Sequence, residues 1–121
     1  VSRIAVSPLI RQHARALSEA AALIGGPQVR NAATLGGNVA HALPAADGAI
    51  ALTALEAEVE IASPAGRRRA PLLSLYRGVG QTTLAADEVL LGFYLPLRAA
   101  GEASAFRRVM RPQGVAVAIL N

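Results

Sequence analysis

One stretch decides how this chain folds: Ile24-Gly-Gly-Pro-Gln-Val-Arg-Asn-Ala-Ala-Thr-Leu-Gly-Gly-Asn-Val-Ala-His-Ala-Leu-Pro-Ala-Ala-Asp47. Its part from Gln28 to Asn38 is polar and rich in glycine, and it predicts an irregular loop because it follows neither helical nor strand periodicity. Inside it, Thr34-Leu-Gly-Gly-Asn38 sets two glycines between a hydroxyl and an amide side chain. A backbone without Cβ atoms can approach a ligand closely, and its N–H groups can surround an anion. Phosphate or pyrophosphate suits this loop, although a glycine pair alone also fits a plain turn.

The sequence before and after this stretch predicts helices. Ser7-Pro8 supplies a capping hydroxyl and a proline suited to the first helical position, so we expect a helix from there to Gly25-Gly26. Apolar residues recur along it in steps of three and four. Pro44 to Asp47 starts a second helix, which ends near Leu55. The first six residues predict a strand, and because both ends fall inside apolar stretches we expect a fragment of a longer protein.

The second half of the chain predicts strands. Residues 57–62 alternate apolar and acidic side chains, Ser63 to Gly66 is a turn, and Arg67 to Pro71 returns, so this segment predicts a hairpin. We expect Glu56, Glu58 and Glu60 to face Arg67, Arg68 and Arg69 across it. Further strands are predicted over residues 89–95, 104–110 and 115–120. Helices followed by strands indicate an α+β fold with a mostly antiparallel sheet flanked by helices.

Composition excludes several functional classes. The 121 residues include no cysteine, which rules out thiolate metal sites and iron–sulfur ligation within this chain. The net charge is +4 and all 12 basic residues are arginine, but they are scattered, and only four aromatic residues are present. Nucleic-acid binding is therefore disfavoured. The sequence has no apolar stretch of membrane-spanning length and no signal-peptide pattern.

Two polar side chains close to the glycine pair are candidate ligand contacts. Asp47 is the one acidic residue between Glu19 and Glu56, and it can either favour a helix start or accept hydrogen bonds from ligand hydroxyls. His41 can donate to a phosphate or cap a turn. The two histidines are too few for a histidine metal cage, and no stretch resembles a nucleophile elbow, so no catalytic or metal-binding residue is predicted.

Residues 24–47 resemble the second flavin-binding signature of the molybdenum hydroxylases. That family includes the FAD subunits of carbon monoxide dehydrogenase and xanthine dehydrogenase. The resemblance continues in order through residues 54–60, 83–88 and 104–108, and so covers nearly the whole chain. It implies that residues 1–98 are the second FAD-binding subdomain of the vanillyl-alcohol-oxidase (PCMH-like) fold. Residues 103–121 then correspond to the opening strands of the C-terminal flavoprotein domain.

The resemblance also implies a set of cofactor-binding residues. Thr34 to Asn38 match a loop that holds the FAD pyrophosphate, Asp47 matches a flavin-contacting acid, and Leu90 matches an apolar contact near the ring system. Arg107 stands where several relatives have lysine. The full expected set is Thr34, Leu35, Gly36, Gly37, Asn38, His41, Asp47, Leu90 and Arg107.

What the resemblance implies about function is an oxidoreductase component. It would pass electrons from iron–sulfur clusters through FAD to an acceptor such as NAD. The molybdenum cofactor and 2Fe–2S clusters would belong to a large and a small partner subunit, and an N-terminal subdomain would supply another Gly-Gly loop. We expect a cytoplasmic enzyme. The alternatives are a non-catalytic interaction domain that lost its flavin and, less favoured, a basic nucleic-acid-binding module.

Overall fold

Six short helices precede seven strands in the described part of the chain, which comprises residues 1–110 and 116–120 of the computed structural model. The helices are α1 Ser2–Val6, α2 Pro8–His13, α3 Arg15–Leu23, α4 Pro27–Ala32, α5 Leu35–Ala40 and α6 Asp47–Ala54. The strands are β1 Glu58–Ser63, β2 Gly66–Pro71, β3 Tyr76–Gly78, β4 Gln81–Thr82, β5 Val89–Tyr94, β6 Arg107–Met110 and β7 Ala116–Leu120. A short 3₁₀ helix, Leu72–Leu75, follows β2. The order of helices before strands confirms the α+β prediction.

The prediction of a strand over the first six residues was wrong. Residues 2–6 form α1, although Ile4 and Val6 are β-branched. Ile4 packs against the core, and the Ser18 hydroxyl of α3 donates to the carbonyl of Ala5 at 2.9 Å. Tertiary contacts with α3 therefore override the local strand preference.

The long first helix of the prediction is divided in two. The Ser7 hydroxyl caps α2 as expected, accepting from the Ile10 N–H at 3.4 Å. The chain then leaves helical geometry at the buried residue Ala14, with φ −141° and ψ 56°, before α3 begins. In this arrangement the Ala16 N–H donates to the Ser104 hydroxyl at 3.1 Å. A backbone donor at the start of α3 therefore finds its acceptor 88 residues later in the chain.

The predicted irregular loop from Gln28 to Asn38 is also wrong, because α4 and most of α5 lie there. Pro27 takes the first position of α4, where its missing N–H costs nothing. The Thr34 hydroxyl caps α5 by accepting from the Gly37 N–H at 2.9 Å. The cap and the packing of α5 on α6 offset the low helix propensity of the two glycines.

The sheets are antiparallel, as predicted. One has three strands in the order β2-β1-β5, and β3–β4 and β6–β7 form separate pairs. On β1, Val59 and Ile61 are buried while Glu58 is exposed, which agrees with the alternating pattern. The predicted strand at 115–120 corresponds to β7, with Val115 outside the described residues.

The predicted charge pairing across the hairpin was only partly right. Glu60 lies opposite Arg69 and 3.8 Å from Arg67, but Glu56 precedes the strand. Arg68 pairs instead with Glu88 at 2.8 Å, and the Arg69 guanidinium lies 3.3 Å from the ring centroid of Tyr94. Successive strand residues point to opposite faces, so three consecutive arginines cannot all face one row of glutamates.

The core lies between α3, α6 and the inner face of β1. Its largest fully buried side chains come from helices, strands and the 3₁₀ turn alike: Leu17, Val39, Leu52, Val59, Ile61, Leu72, Leu75 and Phe106. Phe106 reaches this core from the segment just before β6, and its N–H donates to Glu19 of α3 at 2.8 Å. None of the helices in the described residues is long and apolar enough to cross a membrane.

Candidate functional site

The start of α5 exposes backbone donors. An α-helix leaves its first N–H groups without intrahelical partners. Here the Gly37 N–H is taken by the Thr34 hydroxyl and the Asn38 N–H by the Thr34 carbonyl, at 2.9 and 3.2 Å. Within the described part of the chain, the N–H groups of Leu35 and Gly36 have no acceptor. A Cβ at Gly37 would lie 3.0 Å from the Thr34 hydroxyl, so a side chain there would crowd the cap.

A close contact fixes α5 against the start of α6. The Asn38 side-chain oxygen accepts from the Ala49 N–H at 3.2 Å. Gly48 lies directly beneath, and a Cβ there would lie 2.7 Å from the Asn38 oxygen and 2.8 Å from the Leu35 side chain. The glycine therefore permits the two helices to meet, and the exposed donors of α5 are held next to the helix that Asp47 begins.

Asp47 is buried, with 5% of its surface exposed, and its two carboxylate oxygens differ in their hydrogen bonding. Oδ2 accepts from Nη1 of Arg108 at 2.5 Å. Oδ1 is buried with no hydrogen-bond partner in the described structure, as is Nε of Arg108. Burial raises the pKa of Asp47 above 3.8, while the neighbouring Arg108 acts to lower it. The carboxylate thus retains one oxygen able to accept from a ligand.

Leu90 lies beside the glycine pair. It is half-buried on β5, and a Cβ at Gly36 would be in ordinary contact with the Leu90 Cβ at 3.8 Å. The structure therefore brings together the glycine pair, Asn38, the start of α6 with Asp47, and Leu90.

Two other candidates lie apart from this group. His41 is exposed at the far end of α5, about 10 Å along the helix from Thr34 at 1.5 Å per residue. Arg107 is exposed, donates to the Phe106 carbonyl at 2.9 Å and lies 3.5 Å from Glu19. The Phe106 N–H lowers the pKa of Glu19 below 4.5, burial opposes this, and Arg15 and Arg107 lower it further. The cofactor roles of His41 and Arg107 stay predictions.

Two residues at this site, Gly48 and Arg108, were not predicted from the sequence. A small residue directly after the acid at a helix start is a weak signal for close helix packing, and it could have drawn attention to Gly48. Arg108 pairs with Asp47 across 61 positions, and no local spacing encodes that contact.

A family model described as "FAD binding domain in molybdopterin dehydrogenase" matches residues 1–98. The chain belongs to this FAD-binding family. It is 36% identical over 117 residues to the nicotinate dehydrogenase FAD-subunit of Eubacterium barkeri, covering 94% of this chain and 40% of the relative. It is also 36% identical over 108 residues to the carbon monoxide dehydrogenase medium chain of Hydrogenophaga pseudoflava, covering 89% and 38%. The chain therefore spans about 40% of the length of these relatives.

Solved structures of the family confirm the fold. Carbon monoxide dehydrogenase from Hydrogenophaga pseudoflava, in a form lacking the Mo-pyranopterin moiety of its cofactor, matches with a TM-score of 0.88 and 35% identity. That match covers 94% of this chain and 40% of the other. The reconstituted enzyme from Oligotropha carboxidovorans matches with a TM-score of 0.90 and 26% identity over 98% of this chain and 42% of the other. The resemblance to the molybdenum hydroxylases is confirmed; the boundaries 1–98 and 103–121 stay predictions.

The residues present fit an FAD molecule on two observations. A cofactor with a pyrophosphate and several hydroxyls needs backbone donors at one end and acceptors along its chain. The start of α5 offers the free N–H groups of Leu35 and Gly36, the second on a residue without a Cβ atom, and Asp47 offers a buried oxygen without a partner in the described residues.

Proposed function

We propose that this chain is part of the FAD-binding electron-transfer module of a molybdenum hydroxylase. The proposal depends most directly on Oδ1 of Asp47, which has no hydrogen-bond partner in the described residues. Asp47 lies at the start of α6, which the Asn38–Ala49 hydrogen bond joins to α5. Family membership and the match to carbon monoxide dehydrogenase support the proposal.

Each group at the site has a proposed role. The N–H groups of Leu35 and Gly36 donate to the cofactor's pyrophosphate, and the glycine pair allows the phosphate oxygens to approach the backbone. Asp47 accepts from cofactor hydroxyls through Oδ1. Leu90 offers an apolar wall near the ring system. Further contacts from His41 and Arg107 belong to the same proposal.

When bound, FAD supplies the redox chemistry, taking electrons from iron–sulfur centres and giving them to an acceptor such as NAD. The protein provides position and electrostatics. We propose that 2Fe–2S clusters and the molybdenum cofactor reside on small and large partner subunits. A second Gly-Gly loop outside these 121 residues, in an N-terminal subdomain, would complete the pyrophosphate site. The expected cytoplasmic location stays a prediction.

Replacing Asp47 tests the proposal. In the complete flavoprotein, Asp47→Ala removes a hydrogen bond to a charged group, worth roughly 1.5–3 kcal/mol, so FAD should bind about ten- to a hundredfold more weakly. The measurement is the flavin-to-protein ratio after dialysis, read from the flavin absorption band. Glu58→Ala is the matched control, because Glu58 is exposed on β1 and is not one of the candidate site residues. An unchanged ratio in Asp47→Ala would leave Asp47 with a helix-start role only. A complete flavoprotein, with both Gly-Gly loops present, that is isolated without any flavin would favour the non-catalytic interaction domain.

A further inference from the structure

The Asp47–Arg108 ion pair differs from the others in the described residues. In each of the other four pairs the arginine side chain is at least 46% exposed, whereas Arg108 is 16% and Asp47 6% exposed. An exposed pair contributes little because water and salt screen it. The buried pair joins the start of α6 to β6, so it links the candidate flavin site to the strand that follows Phe106.

This pair is incompletely satisfied. Burying two charges is unfavourable unless their remaining donors and acceptors find partners. Here Oδ1 of Asp47 and Nε of Arg108 are both buried without a hydrogen bond in the described structure. Buried groups left in this state are rare, and each one calls for an explanation. A single hydrogen bond from Nη1 to Oδ2 nevertheless fixes the rotation of the carboxylate and so determines where Oδ1 lies.

We propose that Arg108 is a positioning residue for flavin binding: it holds Oδ2 of Asp47 so that Oδ1 is oriented, ionised and free to accept from a cofactor hydroxyl. The inference rests on the proposed function, since it assumes that Asp47 contacts FAD. Arg108 acts through Asp47, and among the described residues it is the one charged group that acts on that carboxylate.

The electrostatic consequence gives a distinctive signature. An opposite charge close to a carboxylate favours its ionised form, and removal of that charge favours protonation. A protonated Asp47 is a poorer acceptor for a hydroxyl. In Arg108→Gln, FAD affinity should therefore fall on acidification at a higher pH than in the unsubstituted protein. Arg108→Lys keeps the charge and should restore the pH profile at least in part.

The test is a double-mutant cycle in the complete flavoprotein, which carries both Gly-Gly loops and is isolated with its flavin. Bound flavin is removed, and FAD is titrated back between pH 5.5 and 8 while flavin fluorescence is followed. We expect Asp47→Asn and Arg108→Gln each to weaken binding about tenfold or more. We expect the double variant to be no weaker than Asp47→Asn alone, since coupled residues are not additive. Arg77→Gln, an exposed arginine on β3, is the matched control and should bind FAD normally.

The outcomes separate the two proposals. Normal FAD binding in Asp47→Asn overturns the proposed contact of Asp47 with FAD. Weak binding in Asp47→Asn with a normal affinity and pH profile in Arg108→Gln overturns the positioning role alone. Additive losses in the double variant also overturn it, because Arg108 would then act independently of Asp47. If Arg108→Gln fails to fold, Arg108→Lys decides the question. A folded lysine variant whose FAD affinity follows the same pH profile as the parent supports the role, and loss of binding at every pH contradicts it.

Discussion

Gly48→Ala places a methyl group where α5 and α6 meet. In an open helix this change would stabilise the protein by about 1 kcal/mol, because alanine has the higher helix propensity. Here the new Cβ would lie 2.7 Å from the Asn38 side-chain oxygen and 2.8 Å from the Leu35 side chain. Both are ends of side chains that can move, but movement of Asn38 breaks its bond to the Ala49 N–H.

The magnitude follows from three terms. Overpacking in a buried contact costs about 1–3 kcal/mol, and the lost Asn38–Ala49 hydrogen bond about 0.5–1.5 kcal/mol. Against the gain of about 1 kcal/mol in propensity, the net loss of stability is roughly 1–3 kcal/mol. For a chain of this size, each kcal/mol lowers Tm by about 4 °C. Displaced Asn38 and Leu35 side chains should also weaken FAD binding.

Thermal unfolding followed by circular dichroism measures this change. The matched control is Gly92→Ala on β5, where a Cβ would meet no atom within 4 Å. We expect Tm to fall by about 4–12 °C in Gly48→Ala and to stay within a degree or two in Gly92→Ala. A Tm for Gly48→Ala equal to or above that of the parent would refute the reasoning, since helix propensity would then outweigh the contact.

Two further predictions follow from groups described above. The bidentate contact with Arg68 and a hydrogen bond from the Ala85 N–H lower the pKa of Glu88 from 4.5 to about 2. The ionised Glu88 therefore stabilises the folded protein above pH 4.5, and this stabilisation is lost as the pH falls towards 2. Glu88→Gln should therefore be less stable than the parent at pH 7 and equal to it near pH 2 in denaturant titrations; a constant difference at all pH values would contradict the ion pair. The purified 121-residue chain should bind FAD with a Kd in the high micromolar range or weaker, because the Gly-Gly loop at the start of α5 supplies only part of the donors to the phosphates. A titration followed by flavin fluorescence measures this Kd. Stoichiometric binding with a submicromolar Kd would show that this piece carries the complete site.

Local chemistry made part of the fold predictable. The Ser7 cap, the turn before Gly66 and the alternation of Val59 and Ile61 each depend on residues a few positions apart, and the structure has them where the sequence indicated. The residues of α5 were misjudged because two glycines lower helix propensity, while the opposing contribution comes from the hydrogen bond between Asn38 of α5 and Ala49 of α6. Such a contribution exists only after the helices have met.

The candidate site shows the same difference between residues that local sequence identifies and residues that only the folded structure brings in. Thr34 to Asn38, Asp47 and Leu90 carry residue types suited to a phosphate, a hydroxyl and an apolar ring, and they could be proposed from sequence. Arg108 could not, because its neighbour Arg107 has the same side chain. The alternation along β6 and its docking on the core put Arg108 on Asp47 and leave Arg107 near Glu19.

The burial of Phe106 bears on the order in which this chain can fold during synthesis. The ring closes a core built from residues far earlier, and Ser104 and the Phe106 N–H bond to α3 across 88 and 87 positions. When α3, α6 and β1 have emerged from the ribosome, the core that they form therefore still lacks the Phe106 side chain. Replacing a buried phenylalanine by alanine costs about 3–5 kcal/mol, which indicates how far short of full stability the nascent domain remains until that ring emerges. Until then, its apolar interior is open to chaperones.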